Sequence, residues 1–365
     1  MKILHICAGW QKWNGAANIA RLIMGEQERR GHTVSFCTWA SICQLRSADE
    51  VWIHCGWLPC LWWAALWGRN VRWMPEACYD PIRRAYHGWK KTLVGPIERF
   101  CLRRAKVLVA TCEAEADWIR AYLGRRCPPV EVADIKRFFK LSGEVSTQSR
   151  RVAEYAESDV RLPSADGGLG QRPRANSASS RLSALASLGS GASPRVAPTL
   201  KGRLRVNNKK QDETLHILYL GRRHPLKGVE YLETAVRQIE KNSAYSAPLR
   251  LSALASLGSG ASPRVAPTLK GRLRVKYVSS AFGDELEKVW NWCDVLVLPT
   301  LSDNFGLVIA EALERGKSVI TTDGAPAWSD GNDYGGRLIY LKGYRDGTPE
   351  ERVRLLKTAI EGVCK

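Results

Sequence analysis

The chain has 365 residues, 45% of them hydrophobic and 25% charged, which suits a soluble globular protein of two ordinary domains and excludes a disordered chain. The formal net charge of +19 invites a nucleic-acid reading, but a repeat accounts for more than half of it. Eleven Cys occur without a C-x-x-C pair or a Cys/His spacing suited to zinc, so they read as buried thiols in a reducing compartment.

In chain order, Lys2–Cys7 alternates into a short apolar strand. Its apolar run is too short for a signal peptide. A glycine-bearing loop follows, and a helix is predicted from Gly15 to about Arg30. Strands are predicted at Thr33–Cys37 and Val51–His54, then a Trp-rich helix near Trp57–Trp67 and a strand at Val71–Met74. The apolar stretch Cys55–Trp67 has 13 residues, too few to cross a bilayer. A long helix over Ile82–Ala105, a strand at Lys106–Ala110, a helix at Glu113–Leu123 and a strand near Pro129–Val132 complete the first half. Strands and helices alternating at this spacing indicate a parallel sheet covered by helices.

Periodicity is lost from Asp134 to Asp212. Here lies Arg181–Val206, a 26-residue segment that recurs letter for letter as Arg250–Val275. Each copy carries five Lys/Arg and no Asp/Glu, so the pair supplies +10 of the +19. Two perfect copies are not a solenoid. Rich in Ser, Ala, Gly and Pro and without aromatics, they read as inserted, poorly ordered segments, whereas a nucleic-acid arm calls for Lys/Arg runs with aromatics.

The pattern restarts with a strand at Leu215–Leu220 and a helix from Lys227 to about Lys241. After the second copy, Arg272–Ser279 reads as a strand built partly from the end of the insert. Helices are predicted at Glu285–Trp292, Gly306–Arg315 and Pro349–Val363, with strands at Val295–Leu298 and Ser318–Thr321. The organisation expected is residues 1–133 as an N-terminal Rossmann-like acceptor-binding domain, 134–212 as linker with insertion, and 213–365 as a C-terminal Rossmann-like donor-binding domain.

Two segments carry chemistry. The strand LHILYL runs into GRRHPLKG and a helix. A helix N-terminus offers unpaired N–H groups and a partial positive charge, and Arg222 and Lys227 add cationic donors that suit a diphosphate. About 80 residues on, LPTLSDNFGLVIAEALERGKSVITT joins strand, loop, helix and strand. Asn304-Phe305-Gly306-Leu307 forms a tight turn whose N–H groups can face a phosphate, and Glu311 can accept two hydrogen bonds from vicinal hydroxyls, as a ribose requires. Each segment alone also fits a solvated basic loop or an ordinary amphipathic helix.

Together these residues resemble the retaining glycosyltransferases of family 4, which have the GT-B fold. Gly221, Arg222, Lys227 and Gly228 match the family's G-R-x4-K-G turn. Phe305, Gly306, Glu311, Ala312 and Leu313 match its E-x7-E element, with Asp303 in place of the first Glu. TDGAPAW, Thr322–Trp328, is similar to a G-T-P-W segment seen in part of the family. In the first half, Asn14–Ala17, Gly31–Val34, HCGWLPCLWWAAL and TCEAEADWIRAYL resemble family segments more loosely.

The resemblance implies an α/β fold of two Rossmann-like domains facing across a cleft. It implies that Arg222 and Lys227 hold the donor pyrophosphate, with Gly15 and Asn304, Phe305, Gly306 and Leu307 in the donor site. Glu311 would hold the ribose and Asp303 touch the transferred sugar. It implies no metal and no cofactor, the nucleotide-diphosphate sugar being the donor substrate, with positive groups stabilising the departing diphosphate. Three departures stand out. Relatives often have P-H-G-x-x-D-P, and here Glu76 stands where that His is expected, which makes Glu76 a second catalytic candidate. The usual N-G-x-D is replaced by VEVADIKRFF, and the second half lacks one βα unit.

The acceptor is expected to be a glycan or lipid-linked glycan of lipopolysaccharide or capsule synthesis. Trp57, Trp62, Trp63, Trp67 and Trp73, beside Arg83, Arg84, Lys90, Lys91, Arg99, Arg103, Arg104 and Lys106, suit either peripheral contact with an anionic membrane or a Trp-rich core next to a basic helix. The expected location is cytoplasmic, at the inner face of the cell membrane, without a nucleic-acid partner. A dinucleotide-dependent oxidoreductase would show G-x-G-x-x-G after the first strand, which AGWQKWNGAAN does not supply. A sugar-nucleotide epimerase of the same architecture and an inactive carbohydrate-binding relic are the remaining alternatives.

Overall fold

The structure is a computed structural model. It describes residues 1–7, 15–55, 59–76, 79–141, 214–254 and 273–363. These fall into two compact units: Met1–Lys140 with Ser302–Ala310, and residues 214–301 with Glu311–Lys365.

The first unit holds a six-stranded, wholly parallel sheet in the order β2-β1-β3-β4-β5-β6. Its strands are β1 (Lys2–Cys7), β2 (Thr33–Cys37), β3 (Glu50–His54), β4 (Val71–Met74), β5 (Val107–Ala110) and β6 (Val130–Val132). The helices are α1 (Gly15–Arg29), α2 (Ile42–Ser47), α3 (Pro59–Trp67), α4 (Pro81–His87), α5 (Trp89–Leu102) and α6 (Glu113–Leu123). A sheet covered on both faces buries every side chain of a central strand, as in β5, VLVA. The core gathers Ile6, Val51, Ile53, Leu61, Trp73, Leu102, Leu108 and Ile119 between sheet and helices.

Two differences from the sequence reading have local causes. Helix α2 went unpredicted; it is short but carries a capping box, the Ser41 hydroxyl accepting from the Gln44 N–H while the Gln44 side chain accepts from the Ser41 N–H. The single helix expected over Ile82–Ala105 is two, because Gly88 adopts φ +58 and ends α4. Of the two readings left open for the tryptophans, three fit the core: Trp73 is fully buried, its Nε1–H donating to the Cys55 carbonyl at 2.7 Å, and Trp62 and Trp63 pack against the same cluster. Trp67 is partly exposed, and Trp57 lies outside the described residues.

The second unit holds a five-stranded parallel sheet in the order β11-β10-β9-β7-β8, made of β7 (Leu215–Leu220), β8 (Leu273–Val278), β9 (Val295–Leu298), β10 (Ser318–Thr322) and β11 (Leu338–Leu341). Its helices are α7 (Val229–Leu254), α8 (Gly283–Trp292), α9 (Leu307–Glu314), which the unit boundary divides, and α10 (Pro349–Val363). Strand β11 was not predicted.

The second repeat copy is not wholly irregular: its end forms the strand expected over Arg272–Ser279, while the helical start was not expected. Its first five residues extend α7 to Leu254, and its last three open β8, pairing Leu215↔Leu273, His216↔Arg274 and Ile217↔Val275. The segment LRV has the β-branched and apolar content an edge strand accepts, so tertiary pairing recruits it. Its middle, and the whole first copy, lie outside the described residues.

Candidate functional site

In the second unit, the chain leaves β7, forms β8 on one side and returns to form β9 on the other. This reversal between β7 and β9 is a topological switch point, and ligands of open α/β sheets bind at the carboxyl ends of strands there. Both predicted segments begin at that point. β7 ends at Leu220 and enters Gly221–Gly228; β9 ends at Leu298 and enters Pro299–Leu301.

The first loop is pinned at several points. The Tyr219 hydroxyl donates to the Arg222 carbonyl at 2.9 Å. His224 Nδ1 accepts from the Leu226 N–H at 3.2 Å. The Leu226 carbonyl accepts from the Leu301 N–H at 2.8 Å and the Thr300 hydroxyl at 3.0 Å, tying one loop to the other. Pro225–Lys227 forms a 3-10 turn, and α7 starts only after Gly228, which has φ +61. A Cβ there would run into the Pro299 carbonyl oxygen, so the position admits glycine alone.

The two arginines differ. Arg223 is paired with Glu233 at 2.6 Å and lies over the Tyr277 ring. Arg222 is exposed and, among the described residues, has no carboxylate partner. Lys227 is half-buried in the same turn. Glu311 is half-buried on α9, and burial pushes its carboxyl from 4.5 up to about 7, with Arg315 opposing and Glu314 and Glu287 adding to the rise. Arg222, Lys227 and Glu311 thus all follow the carboxyl ends of the two strands that flank the switch point.

The remaining candidates belong to the first unit. Asp303 accepts the N–H of Asn304 at 2.8 Å through Oδ1. Ser302 donates to the buried Asp80, whose other oxygen caps α4 at the Ile82 N–H. Thr111 Oγ1 stands 2.8 Å from Glu115 Oε2 and 2.8 Å from the Asn304 side-chain oxygen position. One hydroxyl proton cannot serve both. With the Asn304 amide turned over, its NH2, otherwise without a partner, donates to Thr111, which donates to Glu115.

Phe305 is buried and stacks on Phe139, centroids 6.3 Å apart, so it can offer a ligand backbone rather than its ring. Gly306 has φ +66, which turns the chain into α9. Gly15 opens α1 beside Leu307, whose Cδ1 would lie 4.0 Å from a Cβ at Gly15. Sequence reasoning therefore placed Gly15 and Leu307 in one site without linking them.

Glu76 follows β4 with φ +57, a strained backbone for a non-glycine residue, and its side chain is buried. Burial holds its carboxyl well above the ordinary range; the nearby Cys55 and Glu115 add to the rise and Arg83 opposes it. Its Oε1 lies 3.6 Å from His54 Nδ1. His54 and His5 are residues that sequence reasoning missed. The available signal was a histidine following apolar residues in each of two strands, KILHIC and EVWIH.

Two family models match in chain order: "Glycosyl transferase 4-like domain" over residues 39–134 and "Glycosyl transferases group 1" over residues 214–345. The chain belongs to the group 1 glycosyltransferases. An uncharacterized glycosyltransferase of Methanocaldococcus jannaschii is 32% identical over 117 residues, 31% of this chain and 28% of that protein. The chain therefore aligns with well under half the length of that relative. Among solved structures, sucrose-phosphate synthase from Thermosynechococcus elongatus shares the fold with a TM-score of 0.56 at 11% identity, covering 99% of this chain and 90% of that one. Anabaena HepE in complex with UDP-glucose gives 0.52 at 13% identity, covering 100% and 92%. The α/β fold of two parallel-sheet units is thus that of GT-B glycosyltransferases.

Among the described residues, no helix is long and apolar enough to cross a membrane. Nor does any group of three or more His, Cys, Asp or Glu stand together as metal ligands among them.

Proposed function

We propose that this group 1 glycosyltransferase moves a sugar from a nucleotide-diphosphate sugar to a glycan or lipid-linked glycan, with retention and without a metal. The observation that carries the reading is the trio at the switch point of the second unit. Arg222, exposed and without a carboxylate partner among the described residues, stands in one turn with Lys227, and Glu311 follows the neighbouring strand. Two cations suit a diphosphate, and a carboxylate suits a ribose diol. Loss of the diphosphate develops negative charge, which Arg222 and Lys227 would stabilise without a cofactor. Asp303 and Glu76 are the candidates for contact with the reacting sugar and its acceptor. Residues 1–133 would take the acceptor and 213–365 the donor. Incubating purified protein with UDP-, GDP- and ADP-sugars and a cell-envelope extract tests this: label should enter the extract from one donor and persist in EDTA. Transfer from none, or a reaction of donor alone as an epimerase would give, contradicts it.

A lipid-linked acceptor in lipopolysaccharide or capsule synthesis, reached from the cytoplasmic face of the membrane, is supported by α5. Leu93, Ile97 and Phe100 recur on one face of this helix and are 67%, 54% and 57% exposed. Over residues 81–106 there are eight Lys/Arg and one acid, Glu98, which is buried and bonded to the Tyr122 hydroxyl at 2.9 Å. An apolar stripe on a segment of net positive charge complements an anionic lipid surface. Phosphatidylglycerol-containing vesicles should carry the protein upward in flotation, and the variant Ile97→Asp with Phe100→Asp should stay below.

A further inference from the structure

The first unit has its own switch point, between β1 and β3, because the chain forms β2 on one side of β1 and returns to form β3 on the other. At its carboxyl end, Cys7 of β1 is in register with His54 of β3, and β4 beside them leads into Glu76. Three buried side chains and one half-buried one form a string through this end of the sheet. Gln27 Oε1, on α1, lies 2.7 Å from His5 Nε2. His5 Nδ1 lies 2.9 Å from His54 Nε2. His54 Nδ1 faces Glu76 Oε1 at 3.6 Å, and neither atom has another hydrogen-bond partner. The His5 ring is stacked on Trp52, 5.7 Å between centroids, which fixes its plane.

The Gln27 amide has two orientations, and the buried end of the string selects between them. With its NH2 toward His5, both imidazoles would carry their protons on Nδ1 and Glu76 would be a buried anion whose only facing donor is 3.6 Å away; with its oxygen toward His5, an amide oxygen cannot donate, so His5 carries its proton on Nε2 and offers a lone pair at Nδ1. His54 must then carry its proton on Nε2, and its Nδ1 is a second lone pair. Were Glu76 ionised, that lone pair and a carboxylate oxygen would be two buried acceptors facing each other, each desolvated and unpaired. One carboxyl proton removes the conflict, and a carboxyl adjustment of about 1 Å brings the pair to hydrogen-bond length.

We infer that Gln27, His5 and His54 are a positioning string that holds Glu76 as an uncharged acid with its proton directed at His54 Nδ1. The groups facing the pair agree. Burial keeps both imidazoles neutral, His5 being pushed down to about 4 and His54 well below its ordinary value. Cys7, Cys55 and Glu115 oppose a negative charge on Glu76, and Arg83 is the one cation that favours it among the groups acting on Glu76. A hydroxyl or phosphate oxygen arriving at these strand ends then meets a neutral acid rather than a carboxylate. The role of that acid in turnover rests on the glycosyl-transfer reading; its protonation does not.

Three measurements on the full chain test this. Long-range 15N–1H spectra of histidine-labelled protein at neutral pH should show His5 and His54 as neutral Nε2–H tautomers. The infrared difference between parent and Glu76→Gln should contain a protonated carboxyl band at the same pH. Gln27→Leu, on a half-buried position, frees the His5 tautomer, so a limb of the kcat/KM pH profile should move by about one pH unit while the donor KM stays fixed. An imidazolium or an Nδ1–H tautomer at His54, a carboxylate at Glu76, or an unmoved pH limb in Gln27→Leu overturns the inference. The two spectra need no turnover, so their failure is distinct from failure to find sugar transfer.

Discussion

Replacing Glu311 by Gln isolates the penalty of burying one carboxylate on α9. Burial lifts that carboxyl from 4.5 to about 7. In the unfolded chain the proton leaves as pH rises through 4.5, whereas the folded protein holds it until about 7. The folded state therefore loses stability across this window as pH rises, and the loss is complete above pH 7. At about 1.4 kcal/mol per pH unit the loss is about 3 kcal/mol. Glu311→Gln carries no ionisable group, so it should match the parent near pH 4 and be more stable by about 3 kcal/mol near pH 8. Denaturant unfolding of the second unit, followed at both pH values, reads the difference directly. A variant whose stability relative to the parent is the same at the two pH values refutes the assignment of a buried, proton-holding carboxyl.

The ionised form is also the one a ribose diol binds, so parental affinity for the nucleotide sugar should rise about tenfold from pH 6 to pH 8, and calorimetry on Glu311→Gln should show weaker, pH-independent binding. Gly228→Ala forces a side chain into a left-handed backbone and against the Pro299 carbonyl oxygen. It should destabilise the second unit by about 2 kcal/mol or more in a denaturant titration and weaken donor binding with it. Ser41→Ala removes the capping box of α2 and should lower the stability of the first unit by about 1 kcal/mol, with donor binding unchanged.

Most of the fold was legible because its strands are short, apolar and bounded by turn residues. β1, β2, β4, β7 and β9 have the ends the sequence suggested, as do α6 and α10. What escaped was set by context. α2 is too short for its periodicity to stand out, and its signal lay in the cap. The break at Gly88 was hidden because a helical pattern resumes directly after it. The helix expected to end near Lys241 runs on to Leu254, into the start of a repeat copy whose composition reads as an irregular insert. In the candidate site, the motif residues of the second unit could be named from the sequence because each belongs to a contiguous segment that follows a strand. His5 and His54 could not, because they meet only through the pairing of β1 with β3, nor could Thr111, whose partner Asn304 lies far along the chain in a separate loop.

The account depends on one nucleotide diphosphate being held by Arg222 and Lys227. Titration calorimetry with a panel of UDP-, GDP- and ADP-sugars measures this directly, on the parent and on Arg222→Ala and Lys227→Ala. One donor class should bind the parent, and each substitution should weaken it about tenfold to a hundredfold, the loss of one charge-assisted contact. Equal affinity in all three proteins, or no binding of any nucleotide sugar to the parent, would contradict it.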